Sequence, residues 1–319
     1  MSNRVNIAIP TYNRSKSLHR TLLFLHQSLE GMDNIYIIVI DNFSTDNTKK
    51  ILILMEDIFR KSSLNFDYKI NEKNIGLDGS IMYIARNILS NKGFTWFLSD
   101  DDYLLRDGVR LFAERLLTSN KKMEIAKFSN PQYKHTKIDS FLRASFLPSV
   151  ALKSDFKPIS GIDNLQGYGY IHLAVINTII KNRSEIGVSE FTVGIQMPNI
   201  SSRFQYFNTL IVGYSKCLMF DNRAMLKKDA LQEAIGRAQS YSALALLDYG
   251  TNSRHINWTP TFGDIVEVYR EFGIRSYKII SIILLMKVPR LIIKLVFNKK
   301  VDQYLKDMSD KKKIIKEYG

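Results

Sequence analysis

The chain has 319 residues, 45% of them hydrophobic, a single cysteine (Cys217) and a formal net charge of +14. That length and apolar content suit one large domain with an extension or two smaller ones, and a sizeable core can be buried. One cysteine excludes an internal disulfide and a cysteine-built zinc site, which fits a reducing compartment. The excess of positive charge points to polyanionic partners without choosing among nucleic acid, an anionic membrane and phosphorylated substrates.

The first half alternates two periodicities. "VNIAIP" reads as a strand, broken at Pro10 too early for the roughly 7–15 apolar residues of a secretory leader. "SKSLHRTLLFLHQSL" carries Leu18, Leu22, Leu25 and Leu29 at helical spacing. "NIYIIVID" is a strand ending in Asp41, and "TDNTKKILILMEDIFRK" is a helix capped by Thr45 or Asp46. "FDYKIN" (strand), "LDGSIMYIARNILSN" (helix), "FTWFLSD" (strand), "RDGVRLFAERLLTS" (helix, with Asp107 as its cap) and "MEIAKFSN" (strand) follow. Strands separated by helices of this length predict βαβ units and a parallel sheet.

Open sheets of this kind bind ligands beyond the carboxyl ends of their strands. The polar clusters "PTYNR", "DNFSTD", "NEKNIG" and "SDDD" all fall there, after successive strands. Between about Asn130 and Met225 the pattern is less regular, and "GYGYIHLAVINTIIKN" reads as a buried strand or helix. No internal repeat or low-complexity segment is present.

The C-terminal part differs in charge. Residues 276–300, "SYKIISIILLMKVPRLIIKLVFNKK", hold six basic residues and no acidic one. The longest uncharged run, Ile279 to Met286, falls far short of the roughly 20 residues that span a bilayer. Lys287, Arg290 and Lys294 share one helical face with apolar residues around the rest. That pattern suits a helix lying in an anionic membrane interface; a helix packed on the domain with its lysines reaching water is the plainer alternative.

Asp100, Asp101 and Asp102 are adjacent like charges at a strand end, an unfavourable arrangement without a counter-charge. A solvated turn is one reading, and a general acid/base pair with one raised pKa is a second. A divalent-metal site is the third: hard carboxylate oxygens suit Mg²⁺ or Mn²⁺, with ligand phosphates completing the shell.

Four segments in this order and spacing, "IAIPTYNR", "IVIDNFSTDNT", "NEKNIG" and "FLSDDDYL", resemble the family-2 glycosyltransferases over roughly residues 1–125. The "LSDDD" form is similar to bacterial O-antigen and capsule sugar transferases, including the abequosyltransferase-like group. The resemblance implies a GT-A fold: α/β, Rossmann-like, with a mostly parallel sheet flanked by helices and a C-terminal helical extension. Residues 1–225 would form the transferase domain, 1–125 its nucleotide-sugar half and 126–225 its acceptor half. Residues 226–319 would be a helical region carrying the basic amphipathic segment 276–300.

The resemblance also implies roles. Pro10, Thr11, Tyr12 and Asn13, with Arg14 beside them, would line the nucleotide pocket. Asp41 would accept the N3–H of a pyrimidine base, although an Asx turn with Asn42 and Ser44 is the plainer use of its carboxylate. Arg86 matches a position near the nucleotide. The metal (Mn²⁺ or Mg²⁺) would sit on Asp101 with Asp102, and Asp100 would face the ribose or diphosphate. Strand alternation alone would instead pair Asp100 with Asp102. The family more usually has an acid where Ser99 stands. No Glu-Asp pair opens a helix in the second half, so Glu190 is the candidate general base, ahead of Asp163 and Asp221.

The activity so implied is inverting, metal-dependent transfer of a hexosyl or deoxyhexosyl group. The donor would be a nucleotide-diphosphate sugar, pyrimidine-linked, and the acceptor a lipid-linked saccharide in surface-polysaccharide assembly. The enzyme would be cytoplasmic, peripheral at the inner face of the cell membrane. Two rivals belong to other classes. A nucleotidyltransferase would need a Gly-rich phosphate loop, and "PTYNRSKS" has no glycine. A non-catalytic basic protein would bind membrane or nucleic acid. No nucleic-acid-binding signature appears, and the basic segment is interleaved with Ile and Leu rather than stacking aromatics, so no nucleic-acid partner is expected.

Overall fold

The computed structural model describes residues 4–90, 92–129, 144 and 146–195, with residues 213, 216, 217 and 220 beyond them. The expected helical region 226–319, its basic segment and Asp221 lie outside the described residues. Met1–Ser160 with Val175–Met197 make one compact unit, and Gly161–Ala174 belongs with a second. The account below concerns the first.

The elements follow in chain order as β1 (Arg4–Thr11), α1 (Ser15–Leu29), β2 (Ile35–Asp41), α2 (Thr48–Phe59), β3 (Asn65–Ile70) and α3 (Gly76–Asn87). Next come β4 (Gly93–Phe97), β5 (Tyr103–Leu104), α4 (Arg106–Thr118), β6 (Met123–Ser129), β7 (Val150–Leu152), α5 (Ile171–Ile179) and β8 (Ile186–Ile195). Among the described residues the strands form one sheet in the order β3-β2-β1-β4-β7-β6-β8-β5. The first four are parallel, and β7 and β5 run antiparallel to their neighbours. The sheet is therefore mostly but not wholly parallel. β5, β7 and β8 escape the periodicity reading because two of them are only two or three residues long and β8 is bulged.

The leucine stripe of α1 explains its place. Leu18, Leu22, Leu25 and Leu29 are fully buried in a core shared with Val5, Ile7, Ile9, Ile37 and Val39 of the sheet and with Leu52 and Met55 of α2. Burying each such side chain is worth about 1.5–3 kcal/mol, and Leu22→Ala would cost about 2–5 kcal/mol. Trp96 packs edge-on against Phe112 of α4, ring centroids 5.0 Å apart, and its indole N–H donates to the Pro148 carbonyl at 2.7 Å. α4 lies so close to β8 that a Cβ on Gly108 would stand 2.2 Å from the Thr192 carbonyl oxygen. Asp107 does not cap α4. Leu105 occupies the cap position, and Asp107 sits within the first turn, where its charge favours the helix dipole.

From β1 the chain builds outward to β2 and β3, then returns to lay β4 on the other side of β1. The β1/β4 boundary is thus the point at which the strand order reverses. The ladder there stops at Ala8 opposite Phe97, with the Leu98 N–H donating to the Ala8 carbonyl at 3.0 Å. β1 continues to Thr11 beside β2 alone. The Thr11 carbonyl accepts from Asn42 on the β2 side, so by alternation Pro10 faces the β4 side, past the last pair. Its missing N–H breaks no ladder bond there, and Pro10 lies within the strand instead of ending it. The pairing of the two strands thus ends short of their carboxyl ends, where open sheets of this kind form a ligand crevice.

Candidate active site

Three loops meet at that crevice. Thr11 and Asp41 are register partners at the ends of β1 and β2. The loops after them are laced together: Asn13 N–H donates to Ser44 Oγ at 2.8 Å, and Thr45 N–H donates to Asn13 Oδ1 at 2.7 Å. Asp46 accepts from the N–H groups of Ser15 and Thr48, each at 2.9 Å, and so holds the first residues of α1 and α2. Burial pushes the Asp46 carboxyl up, but the bonds from Thr48 and Ser15 outweigh it and hold the group below its ordinary value. Asn42 accepts from Asn71 and from the Ile75 N–H and donates to Asn74 at 2.7 Å, tying the end of β2 to the start of α3.

Asp41 is fully buried. Its Oδ1 accepts the Ser44 N–H at 3.1 Å, which is the expected Asx-type bond. Its Oδ2, also buried, has no hydrogen-bond partner. A buried carboxylate oxygen without a donor is costly, and it calls for an explanation. The turn and the base-recognition readings thus use different oxygens of one side chain.

The acidic triplet sits on a bend between β4 and β5. Burial alternates along it: Asp100 and Asp102 are 3% and 5% exposed, while Asp101 is more open. Asp100 accepts from Thr11 Oγ1 at 2.6 Å and from Arg14 Nη1 at 3.2 Å, and its carbonyl accepts from Thr21 Oγ1 at 3.1 Å. The same Arg14 Nη1 donates to Asp101, which also accepts from Ser99 Oγ. Arg20 Nη2 donates to the Asp101 carbonyl at 3.4 Å. Burial pushes the Asp100 carboxyl up to about 6; Arg14 pulls against that and Asp101 adds to it. Burial disfavours the Arg14 guanidinium, yet Asp100 and Asp101 outweigh it and raise its pKa.

The structure therefore joins Thr11 and Arg14 directly to the acidic bend of Asp100 and Asp101, and links Asn13 to Asp41 through Ser44 on the neighbouring loops. Pro10 and the half-exposed Tyr12 sit on the strand and loop that carry them. Asp100 and Asp101 share the Arg14 guanidinium, and Asp102, expected beside Asp101 as a metal ligand, is buried on the same bend. Arg86 is not brought in: it lies in the last turn of α3, about 15 Å along the axis from the Asn42 network at that helix's start. Glu190 is also set apart. It lies exposed on the bulge of β8, five residues before the Ile195 that pairs with Tyr103, which is roughly 15 Å of strand. Asp163 belongs to the second unit. Sequence reasoning missed Arg20 and Thr21, although both stand less than two turns into α1, and it missed the Asn42–Asn71–Asn74 network.

Among the described residues no group of three or more His, Cys, Asp or Glu side chains converges to hold a metal. Asp100 and Asp101, already converging on one cationic nitrogen, fit the one or two carboxylates that Mg²⁺ or Mn²⁺ takes when a ligand's phosphates supply the rest. No helix among the described residues is long and apolar enough to cross a membrane.

Residues 6–161 match the family model described as glycosyl transferase family 2. Abequosyltransferase RfbV of Salmonella typhimurium is 30% identical over 109 residues, 34% of this chain and 31% of that protein. Uncharacterized glycosyltransferase MG060 of Mycoplasma genitalium is 26% identical over 110 residues, 34% of this chain and 36% of that protein. The aligned stretch thus spans about a third of the length of these curated relatives. The crystal structure of S. aureus TarS matches with a TM-score of 0.54 at 15% identity, covering 88% of this chain and 50% of that one. That likeness is one of fold, and the mixed, mostly parallel sheet flanked by helices is the GT-A arrangement expected from the sequence.

Proposed function

This chain is a family-2 glycosyltransferase over residues 6–161, and on that premise we propose that it takes its sugar from a pyrimidine nucleotide-diphosphate donor bound across the β1/β4 crevice. The observation that carries this reading is Asp41 Oδ2, a buried acceptor without a donor at the end of β2. The N3–H of a uracil or thymine ring supplies the donor that oxygen lacks. The diphosphate then reaches toward the acidic bend, where Arg14 and Arg20 are cations within reach of its charge. Asp100 and Asp101 are the residues that would hold Mg²⁺ or Mn²⁺. When bound, the metal would neutralise negative charge on the leaving nucleotide. Thr11 and Thr21 fix Asp100 through its carboxylate and its carbonyl, so the acidic bend is positioned before ligand arrives.

Likeness to a protein named an abequosyltransferase supports a hexosyl or deoxyhexosyl donor. We further propose an inverting displacement onto a lipid-linked saccharide acceptor at the inner face of the cell membrane, in surface-polysaccharide assembly. Support for the membrane part is the basic, apolar segment 276–300. Glu190 stands too far from the acidic bend to be carried forward as the base, and none is assigned.

Calorimetric titration of a nucleoside-diphosphate panel, with and without Mn²⁺, tests the reading on wild type, Asp41→Ala and Asp101→Ala. One pyrimidine diphosphate should bind with metal. Asp41→Ala should lose the preference for that base, and Asp101→Ala the metal dependence. Equal binding of purine and pyrimidine diphosphates by the wild type would count against it.

A further inference from the structure

Phe43 follows Asn42 in the loop after β2, and its backbone is left-handed, with φ at 67°. That region is unfavourable for a bulky L-residue, and Gly or Asn would fill it with less strain. The loop leaves it no freedom to relax. On one side Asn42 is held by Asn71, Asn74 and Ile75; on the other, Ser44 donates its N–H to Asp41 and accepts from Asn13 through its hydroxyl. The ring gains little from the fold in return, since Phe43 is 49% exposed. A strained backbone that presents an exposed aromatic stabilises neither loop nor core, and backbone strain of this kind collects at ligand sites.

Its position says which ligand. Phe43 is two residues from Asp41, whose unpartnered Oδ2 marks where the base N–H belongs. Tyr12, 40% exposed, stands on the facing loop, next to the Thr11 that is Asp41's register partner. A planar ring bonded edge-on to Asp41 therefore has an aromatic side chain on each of the two loops that flank it. The acidic bend, where phosphate and sugar belong, is reached through Thr11 and Arg14 rather than through the Phe43 loop.

We infer that Phe43 is a base-binding residue that stacks on the pyrimidine ring of the donor nucleotide. This rests on the nucleotide-sugar reading above and adds to it the residue that covers the base. Stacking of a base on an aromatic side chain is sequence-tolerant, so Phe43 strengthens binding of any pyrimidine while Asp41 selects among them.

The test uses the full chain, with Phe43→Gly and Phe43→Trp, titrated with UDP, CDP and dTDP and with inorganic pyrophosphate as the base-free probe, all in Mn²⁺. Phe43→Gly should weaken the nucleoside diphosphates by about thirty-fold, the middle of the range for loss of one aromatic stack, and leave pyrophosphate unchanged. The same variant should melt at a higher temperature than wild type, because it relieves the φ strain. Phe43→Trp should keep the affinity, and its emission should change with UDP but not with pyrophosphate. Unaltered nucleotide affinity in Phe43→Gly, or an equal loss for pyrophosphate, overturns the inference and leaves the nucleotide reading intact. A wild type that binds none of the three nucleotides overturns both.

Discussion

The Thr11 hydroxyl donates to Asp100 Oδ2 at 2.6 Å across the gap left where the β1/β4 ladder ends. These residues are 89 apart in sequence, and both are buried. The bond does for the open ends of the strands what a ladder bond does lower down, and it anchors the acidic bend to the strand that carries the PTYN loop. Thr11→Val keeps the shape and deletes the donor. It leaves a buried carboxylate oxygen unpaired, which should cost about 1–3 kcal/mol in chemical denaturation. Thr11→Ser should recover most of that, and an equal loss in both would assign the effect to methyl packing.

Asp100 gives the apo protein a recognisable pH dependence. Its carboxyl is pushed up to about 6 by burial, against about 3.9 when unfolded. Between those values the native chain binds more protons than the unfolded one, so this group's contribution to stability falls as pH rises from about 4 to about 7. The span corresponds to roughly 3 kcal/mol. Asp46, held below its ordinary value, acts oppositely: its contribution is present above about 4 and is lost as pH falls through the depressed pKa. Urea denaturation of wild type and Asp100→Asn in chelator should therefore diverge across pH 4–7, with the variant gaining relative stability toward neutrality. Parallel curves would contradict the assigned burial cost.

On the proposed function, a divalent cation would compete with Arg14 for the same two carboxylates. The guanidinium neutralises Asp100 and Asp101 through one nitrogen. Arg14→Gln should lower stability in chelator, because Asp100 is left as a buried charge beside a second one. Mn²⁺ should then restore more stability to the variant than it adds to wild type, since it no longer displaces a resident cation. Thermal melts over a Mn²⁺ series measure this directly, and a smaller metal-induced shift in Arg14→Gln than in wild type would refute the competition.

Asp46 shows how one side chain stabilises two helix starts. Its oxygens accept from Ser15, the first residue of α1, and Thr48, the first of α2. Asp46→Ala should cost about 0.5–2 kcal/mol, the range for losing a helix cap. Hydrogen exchange should rise in the first turns of both helices. A rise in α2 alone would mean that the α1 contact contributes nothing.

The strand–helix alternation of residues 4–129 is legible because most elements carry a readable apolar pattern: leucines at helical spacing in α1, an unbroken apolar run in β2, and runs interrupted by Asn6 in β1 and by Thr95 in β4. The crevice is legible for the same reason, since polar residues are grouped just after those runs. What the sequence hides is non-local. Nothing near Pro10 tells that its ladder partner has already ended. Nothing near Asp100 tells that Thr11 and Thr21 hold it, because the pairings span 89 and 79 residues. Phe43 reads as one more loop apolar until its backbone angle is known. Asp107 looks like a cap because it precedes an apolar stripe, yet the helix begins a residue earlier. Glu190 looks like a base only while the strand that carries it is unknown.

The same dependence on distant partners governs Gly187, in β8. A Cβ there would lie 2.3 Å from both carboxylate oxygens of Glu124, its register partner on β6. Glu124 cannot step aside easily: it is 1% exposed, and Arg115 Nε and Ser119 Oγ each donate to it at 2.6 Å. Gly187→Ala must therefore displace a buried, charge-paired carboxylate or shift a strand, and should destabilise the protein by about 1–3 kcal/mol. Glu124→Asp draws the carboxylate back by one methylene and opens the space that the new methyl needs, at the expense of longer bonds to Arg115 and Ser119. The double variant should then be more stable than the sum of the two single losses predicts, by the 0.5 kcal/mol or more (roughly) that marks directly coupled neighbours. Additive losses in a denaturation cycle would show that the methyl is accommodated by strand movement instead.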